Sequence, residues 1–241
     1  MASAGNATDS LRHLRHEVLH SLESCSHWLS EVEVPDALAH RVGYIGDEQV
    51  ELRTRRFRGG ALESLTFASI SDTTGMCRSV TLIGFPTADS PLPILGVDLI
   101  AFRRHLSLVA LDYAPTNFAY WNQTASPVLR HLRDWTESHL KARKRPEFTV
   151  DAFSDLAIIS ASPRGSEAIA CEAATRLLST YLNFARESMV WPSQPGDQTV
   201  AQWCEAERQN RKEHDALGRV FGSSFAESYL AYLFTPASPA Y

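Results

Sequence analysis

The residue best placed to do chemistry is an aspartate in the middle of an apolar run, PLPILGVDLIAF (91–102). Asp98 stands among Ile94, Leu95, Val97, Leu99, Ile100 and Phe102. An ionised carboxylate in such surroundings is costly unless paired, so its pKa rises and it tends to keep a proton. The residues alone leave two readings open. Asp98 is either a buried carboxylate with a structural partner, or a carboxyl group held protonated near neutral pH for use as a general acid. If the run is a strand, Ile94, Gly96, Asp98, Ile100 and Phe102 share one face. Gly96 then leaves room for something to approach the sheet beside the carboxylate.

Other reactive side chains carry less. Asp112, in VALDYAP, stands before a proline-containing segment, where a turn-forming or capping carboxylate is expected. His13, His16 and His20 can share a helix face, but the interleaved Arg12, Arg15 and Glu17 point to a solvated polar surface rather than a metal site. The four cysteines, Cys25, Cys77, Cys171 and Cys204, form no CxxC pair. That argues against zinc, iron–sulfur and thioredoxin-type sites, and is compatible with reduced thiols in a cytosol-like compartment. No GxGxxG, P-loop, HExxH or GxSxG motif occurs.

The elements that must position Asp98 follow from periodicity. Residues 10–30 place Leu11, Leu14, Val18, Leu19, Leu22 and Trp28 near helical spacing. From residue 49 onward, five short runs (QVELRTRRFR, LESLTFASI, SVTLIGF, PILGVDLIAF and LSLVALDYA) are separated by GG, SDTTG, PTADSP and RRH. That pattern predicts an antiparallel meander. Helical spacing returns over 125–145, DLAIISAS (155–162) suggests one more strand, and 167–187 and 201–234 read as helical with a loop at 191–199. Strands flanked by helices imply an α+β fold: a three-layer α/β/α sandwich with a central antiparallel sheet, in one domain over residues 1–241.

Composition bounds the function. The chain has 241 residues, 44% of them hydrophobic and 21% charged, which suits a globular domain with a sizeable core. A net charge of −5 argues against a nucleic-acid binder that works through bulk charge. Basic residues still cluster locally, at RTRRFR (53–58) and KARKRPEF (141–148). No apolar run reaches the roughly 18 residues of a membrane span. MASAGNATDS lacks the features of a secretory signal and is too short for a transit peptide.

Two anchor blocks resemble a known family, the ferredoxin-dependent bilin reductases. The first is FPTADSPLPILGVDLIAF…LSLVALDYAP (85–115), similar to a family pattern of Phe/Tyr-Pro, a short loop, Pro-x-x-Gly-x-Asp-Leu, then a strand ending Leu-Asp-x-x-Pro. The second is AQWCEAERQNRKEHDALGRVFGSSFAESYLAYLF (201–234), similar to the family's C-terminal helices. PEFTVDAFSDLAIISASPRG (146–165) adds a weaker match, and the three together span about residues 50 to 234.

The resemblance implies an α/β/α sandwich with bilin bound between the sheet and the C-terminal helices. It implies no bound metal or flavin, and electrons delivered singly from reduced ferredoxin to the tetrapyrrole while the protein supplies protons. It identifies Asp98 with the central proton-donating aspartate. Gly96, Asn210, Arg211 and Lys212 become candidate substrate-binding residues. Lys141, Arg143, Lys144 and Arg145 become a candidate docking patch for acidic ferredoxin, with Lys212 nearer the pocket mouth. The implied partners are biliverdin and ferredoxin, with a second bilin reductase or a heme oxygenase as further candidates. A monomer free of nucleic acid and membrane is expected, in the cytoplasm, or in the plastid stroma of an alga.

Two positions depart from the pattern. Arg211 occupies the place of the family's second catalytic aspartate, and Thr81 that of a histidine carried by phycocyanobilin-forming members. Together with the ending LFTPAS, these departures favour two-electron reduction of biliverdin IXα at the C15–C16 bridge, giving 15,16-dihydrobiliverdin. The alternatives are another product of the same family, with Asp215, Glu213 or a water replacing the missing acid, or a non-catalytic bilin-binding protein.

Overall fold

The computed structural model describes residues 7–73, 77–102, 105–145, 152–187 and 200–236. In chain order the elements begin with helix α1 (Ala7–Ser24), strand β1 (Ser30–Val32), the single turn α2 (Asp36–Ala39) and β2 (His40–Ile45). The long strands follow: β3 (Glu48–Gly59), β4 (Leu62–Asp72), β5 (Cys77–Pro86), β6 (Ile94–Phe102) and β7 (His105–Ala114). Next come α3 (Phe118–Tyr120), a π-helical turn (Trp121–Ala125), α4 (Ser126–Glu137), β8 (Lys141–Ala142), β9 (Ile158–Ala161) and α5 (Glu167–Arg186). The chain closes with α6 (Val200–Arg208), α7 (Arg211–Phe221) and α8 (Ser223–Leu233).

Nine strands form one antiparallel sheet in the order β1-β3-β4-β5-β6-β7-β9-β8, with β2 also paired to β3. The five predicted runs are β3 to β7, each hydrogen-bonded to the next, and the predicted later strand is β9 beside β7. Helices cover both faces, so the sandwich is as expected.

One face is tightly filled. On α1, Leu11, Leu14, Val18 and Leu22 recur at helical spacing and are at most 1% exposed. At about 1.5–3 kcal/mol for each such side chain, this contact outweighs the exposed Arg12–Asp9 ion pair (3.0 Å), a type worth roughly 0.2–1 kcal/mol. Helix α5 adds Ala173, Ala174, Leu177, Leu178 and Tyr181, all 0% exposed. The Tyr113 hydroxyl donates to the Leu177 carbonyl at 2.6 Å. The Tyr181 hydroxyl lies 3.1 Å from the Gly84 carbonyl and 3.0 Å from that of Pro93. A Cβ at position 84 would meet the Tyr181 ring at 2.7 Å, so only glycine lets helix and strand approach this closely.

The other face carries a second core beneath α6, α7 and α8, including Leu52, Ile83, Phe85, Trp203, Tyr229 and Leu233. Two polar contacts tie α8 to the sheet. The hydroxyls of Thr54 and Tyr229 are 3.1 Å apart. The fully buried Arg56 donates to Thr66 Oγ1 and to the Tyr232 carbonyl, each at 2.9 Å, with its guanidinium 3.9 Å from the Tyr232 ring centre.

Several boundaries differ from the sequence-based expectation. The first helix ends at Ser24, and Trp28 follows in turns that lead to β1. The expected helix over 125–145 ends at Glu137, and the basic run after it starts as the edge strand β8. The segment 201–234 is three helices rather than one stretch, broken at Gln209–Asn210 and at Gly222, whose φ of +96° suits glycine. The loop expected at 191–199, the start of the 146–165 block, and parts of the SDTTG and RRH turns lie outside the described residues. Among the described residues no helix is long and apolar enough to cross a membrane.

Candidate active site

The strand period puts Asp98 where the sequence predicts. Register pairs Thr54 with Ala68, Ala68 with Thr81, Thr81 with Asp98, Asp98 with Ala110 and Ala110 with Ile159. This row therefore crosses six strands on a single face, the one beneath the C-terminal helices. Val97 and Leu99 point the other way, into the packed core, and are 2% and 0% exposed.

Above Thr81, Asp98, Ala110 and Ile159 the helices leave a cavity instead of a core. It opens to solvent, and its empty space, open solvent at the mouth included, is about 680 Å³. Ile83, Gly96 and Leu108 continue its floor; Phe153, Trp203, Glu207, Asn210, Glu213 and Phe234 line the rest. A Cβ built on Gly96 would meet nothing within 4 Å, so the glycine borders open space, as its spacing implied. Trp203 packs edge-on against Phe85 and Phe234, with ring centres 5.6 and 5.9 Å apart, which gives the cavity a stiff aromatic wall.

The polar content of this cavity is almost all carboxyl. Asp98 is half-buried, and burial pushes its pKa up to about 6 although a hydrogen bond from Thr81 pulls it down. Glu207 is 6% exposed, and burial together with the charges of Asp98 and Asp112 pushes it up to about 8. Glu213 also rises to about 8, through burial and then the charges of Asp98 and Glu207, against a hydrogen bond from Asn210. No Lys, Arg or His is among the described residues lining the cavity.

Asn210 caps α7: its Oδ1 accepts from the Glu213 N–H at 3.4 Å, and its Nδ2 donates to Glu213 Oε2 at 3.3 Å. The cap thus holds both side chains at the cavity. Asp112 is buried on the same face of β7, in register with Gly96, and holds a distant turn rather than its own. It accepts the Ser154 N–H at 2.7 Å and the Ser154 hydroxyl at 2.5 Å, while burial raises its pKa to about 7. The strand ends at Ala114, as the run LSLVALDYA predicts.

Of the predicted substrate contacts, Gly96 and Asn210 line the cavity, whereas Arg211 and Lys212 do not. They are the first two residues of α7 and are exposed, because the cap turns position 213 inward. In the predicted docking patch, Lys141, Arg143 and Lys144 are exposed beside the sheet edge. Arg143 donates to the Ser107 carbonyl, and Arg145 to the Ser154 carbonyl beside Asp155. His13, His16 and His20 are exposed, and no group of three or more His, Cys, Asp or Glu residues among the described ones is placed to hold a metal.

Glu207 escaped the sequence reading. Its only signal is spacing, one helical turn after Trp203 and Cys204, the other buried residues of α6.

A family model described as ferredoxin-dependent bilin reductase matches residues 16–235. Among solved structures, phytochromobilin synthase from tomato in complex with biliverdin resembles this chain with a TM-score of 0.71 and 17% identity. The match covers 91% of this chain and 82% of that one. At this identity the likeness is one of fold.

Proposed function

Since the chain belongs to the ferredoxin-dependent bilin reductases, we propose that it reduces biliverdin IXα by two electrons at the C15–C16 bridge, giving 15,16-dihydrobiliverdin, with Asp98 as a proton donor. Reduced ferredoxin is the electron donor of the family; in this reading it passes electrons singly and the bound tetrapyrrole becomes a radical that must be protonated. The observation that carries the reading is Asp98 itself: a carboxyl of pKa about 6 on the floor of an apolar cavity, beside a glycine with open space above it. Placing a carboxyl there costs desolvation, which a reductase recovers by using its proton.

The two departures noted in the sequence support the modest electron count. Arg211 points away from the cavity, so position 211 supplies no acid there. Thr81 tunes the aspartate and brings no imidazole. Bilin covering the cavity would exclude water from Asp98 and raise its pKa further, towards the working range of a general acid.

An anaerobic reaction of the protein with biliverdin and reduced ferredoxin, its products resolved by chromatography, tests this reading. The expected product is 15,16-dihydrobiliverdin. A four-electron bilin would correct the product, and unreduced biliverdin would overturn the function.

A further inference from the structure

Reduction of one double bond consumes two protons, and Asp98 is one donor. We infer that Glu207 on α6 is the second, facing the same cavity from the helical side while Asp98 serves from the sheet. The assignment rests on the reading of the chain as a biliverdin reductase.

Three observations carry it. Glu207 lines the cavity and is 6% exposed. Its Oε1 is buried without a hydrogen-bond partner among the described residues, although buried polar atoms are seldom left so. A ligand group in the cavity would provide that partner. The surroundings also decide its protonation. The ionisable groups around it are Asp98 from β6, Asp112 from β7, Glu213 from α7 and the Cys204 thiol of its own helix, none of them a cation. With no cation among the described residues lining the cavity, Glu207 stays neutral at a pH where an ordinary glutamate is ionised. Burial and the acidic neighbours Asp98 and Asp112 push Glu207 up to about 8, above Asp98 at about 6, so Glu207 holds its proton to higher pH than Asp98 does.

Glu213 is the weaker candidate of the two glutamates. Its carboxyl is already engaged by the Asn210 side chain in the cap of α7, and it is more exposed than Glu207.

The step balances as follows. The C15–C16 double bond takes one electron from each of two reduced ferredoxins, which become oxidised. A C–H bond forms at each carbon, as an O–H bond breaks at Asp98 and another at Glu207. Both carboxylates then regain protons from water.

Glu207→Gln keeps the shape and the hydrogen-bonding reach but carries no transferable proton. The variant is expected to bind biliverdin and accept the first electron. The bilin radical, followed by electron paramagnetic resonance, should then persist, and product formation should fall about 10²-fold or more. Glu207→Asp, an acid one methylene shorter, should recover part of the loss and shorten the life of the radical relative to Glu207→Gln. A Glu207→Gln protein that turns over at the parent rate overturns the assignment and leaves the function standing. So does a Glu207→Asp protein as slow as Glu207→Gln, since shape would then matter and the proton would not. A wild-type protein that leaves biliverdin unreduced overturns the function, and the assignment with it.

Discussion

Thr81 and Asp98 face each other directly across β5 and β6, and the threonine hydroxyl donates to Asp98 Oδ1 at 2.9 Å. The bond favours the ionised carboxylate, while burial favours the neutral acid; burial is the larger effect, and the balance lies at about 6.

Thr81→Val keeps the side-chain volume and removes the donor. The pKa of Asp98 should rise, because the lost bond stabilised only the charged form. The alkaline limb of kcat/KM, which reports the acid of the free enzyme, should move to higher pH. A limb that stays in place or moves down would mean that Asp98 does not set it.

Asp98→Asn removes the proton and keeps the size. Biliverdin should still bind, since the cavity walls are largely apolar. Product formation should fall by about 10²–10⁴-fold, the usual contribution of a positioned acid. Parent-rate turnover to the same dihydrobilin would exclude Asp98 as the donor.

Stability should depend on pH in an unusual direction. Asp98, Asp112, Glu207 and Glu213 all have folded pKa values above their ordinary 3.8 or 4.5, at about 6, 7, 8 and 8. Between the ordinary values and these raised ones the folded state binds more protons than the unfolded state. The stabilisation is therefore complete below the ordinary values and is lost as pH rises through the raised ones. Glu31 and Glu51, lowered by Arg55 and Arg53, act oppositely, but only as pH falls through the normal carboxylate range. Urea midpoints taken from about pH 5 to about pH 9 should decline, and Glu207→Gln with Glu213→Gln should flatten the decline. A midpoint that rises over this interval would contradict the buried-acid picture.

For electron transfer, exposed Lys141 and Lys144 beside the sheet edge offer positive charge to an acidic ferredoxin. Reversing both to glutamate should slow the second-order reaction about tenfold at low salt and flatten its dependence on ionic strength. Stopped-flow rates indifferent to both changes would place docking elsewhere. Arg145 is the poorer choice for such a test, because its bond to the Ser154 carbonyl belongs to the fold.

What the sequence made legible is what obeys a period. The β3 to β7 meander shows itself because apolar-rich runs recur between short polar breaks, three of the four carrying glycine or proline. Asp98 shows itself because it violates the hydrophobicity of its own strand. The edge strands β1, β2 and β8 have three, six and two residues and are mostly exposed, so no alternation betrays them. Glu207 hides for the opposite reason: in CEAER a buried acid reads like one more surface charge until α6 is seen lying over the cavity. The family resemblance points to Arg211 and Lys212 at the site, but the Asn210–Glu213 cap fixes which residue of that turn faces inward.

On β6 the division between the two faces comes down to single residues. Val97 and Leu99 belong to the packed side, and Gly96, Asp98 and Ile100 to the side of the cavity. Where the cavity-side face lines the cavity and not the second core, its positions can therefore vary without touching the residues that hold the sheet together. Leu108, Ala110 and Ile159 form such a set, lining the cavity without belonging to either core, and a library confined to them would search substrate scope at little risk to folding. The same library shifted by one residue, onto Val109, Leu111 and Ile158, would mostly yield unfolded protein. Strand pairing thus makes this scaffold evolvable: new chemistry and lost stability are separated by one step along the chain.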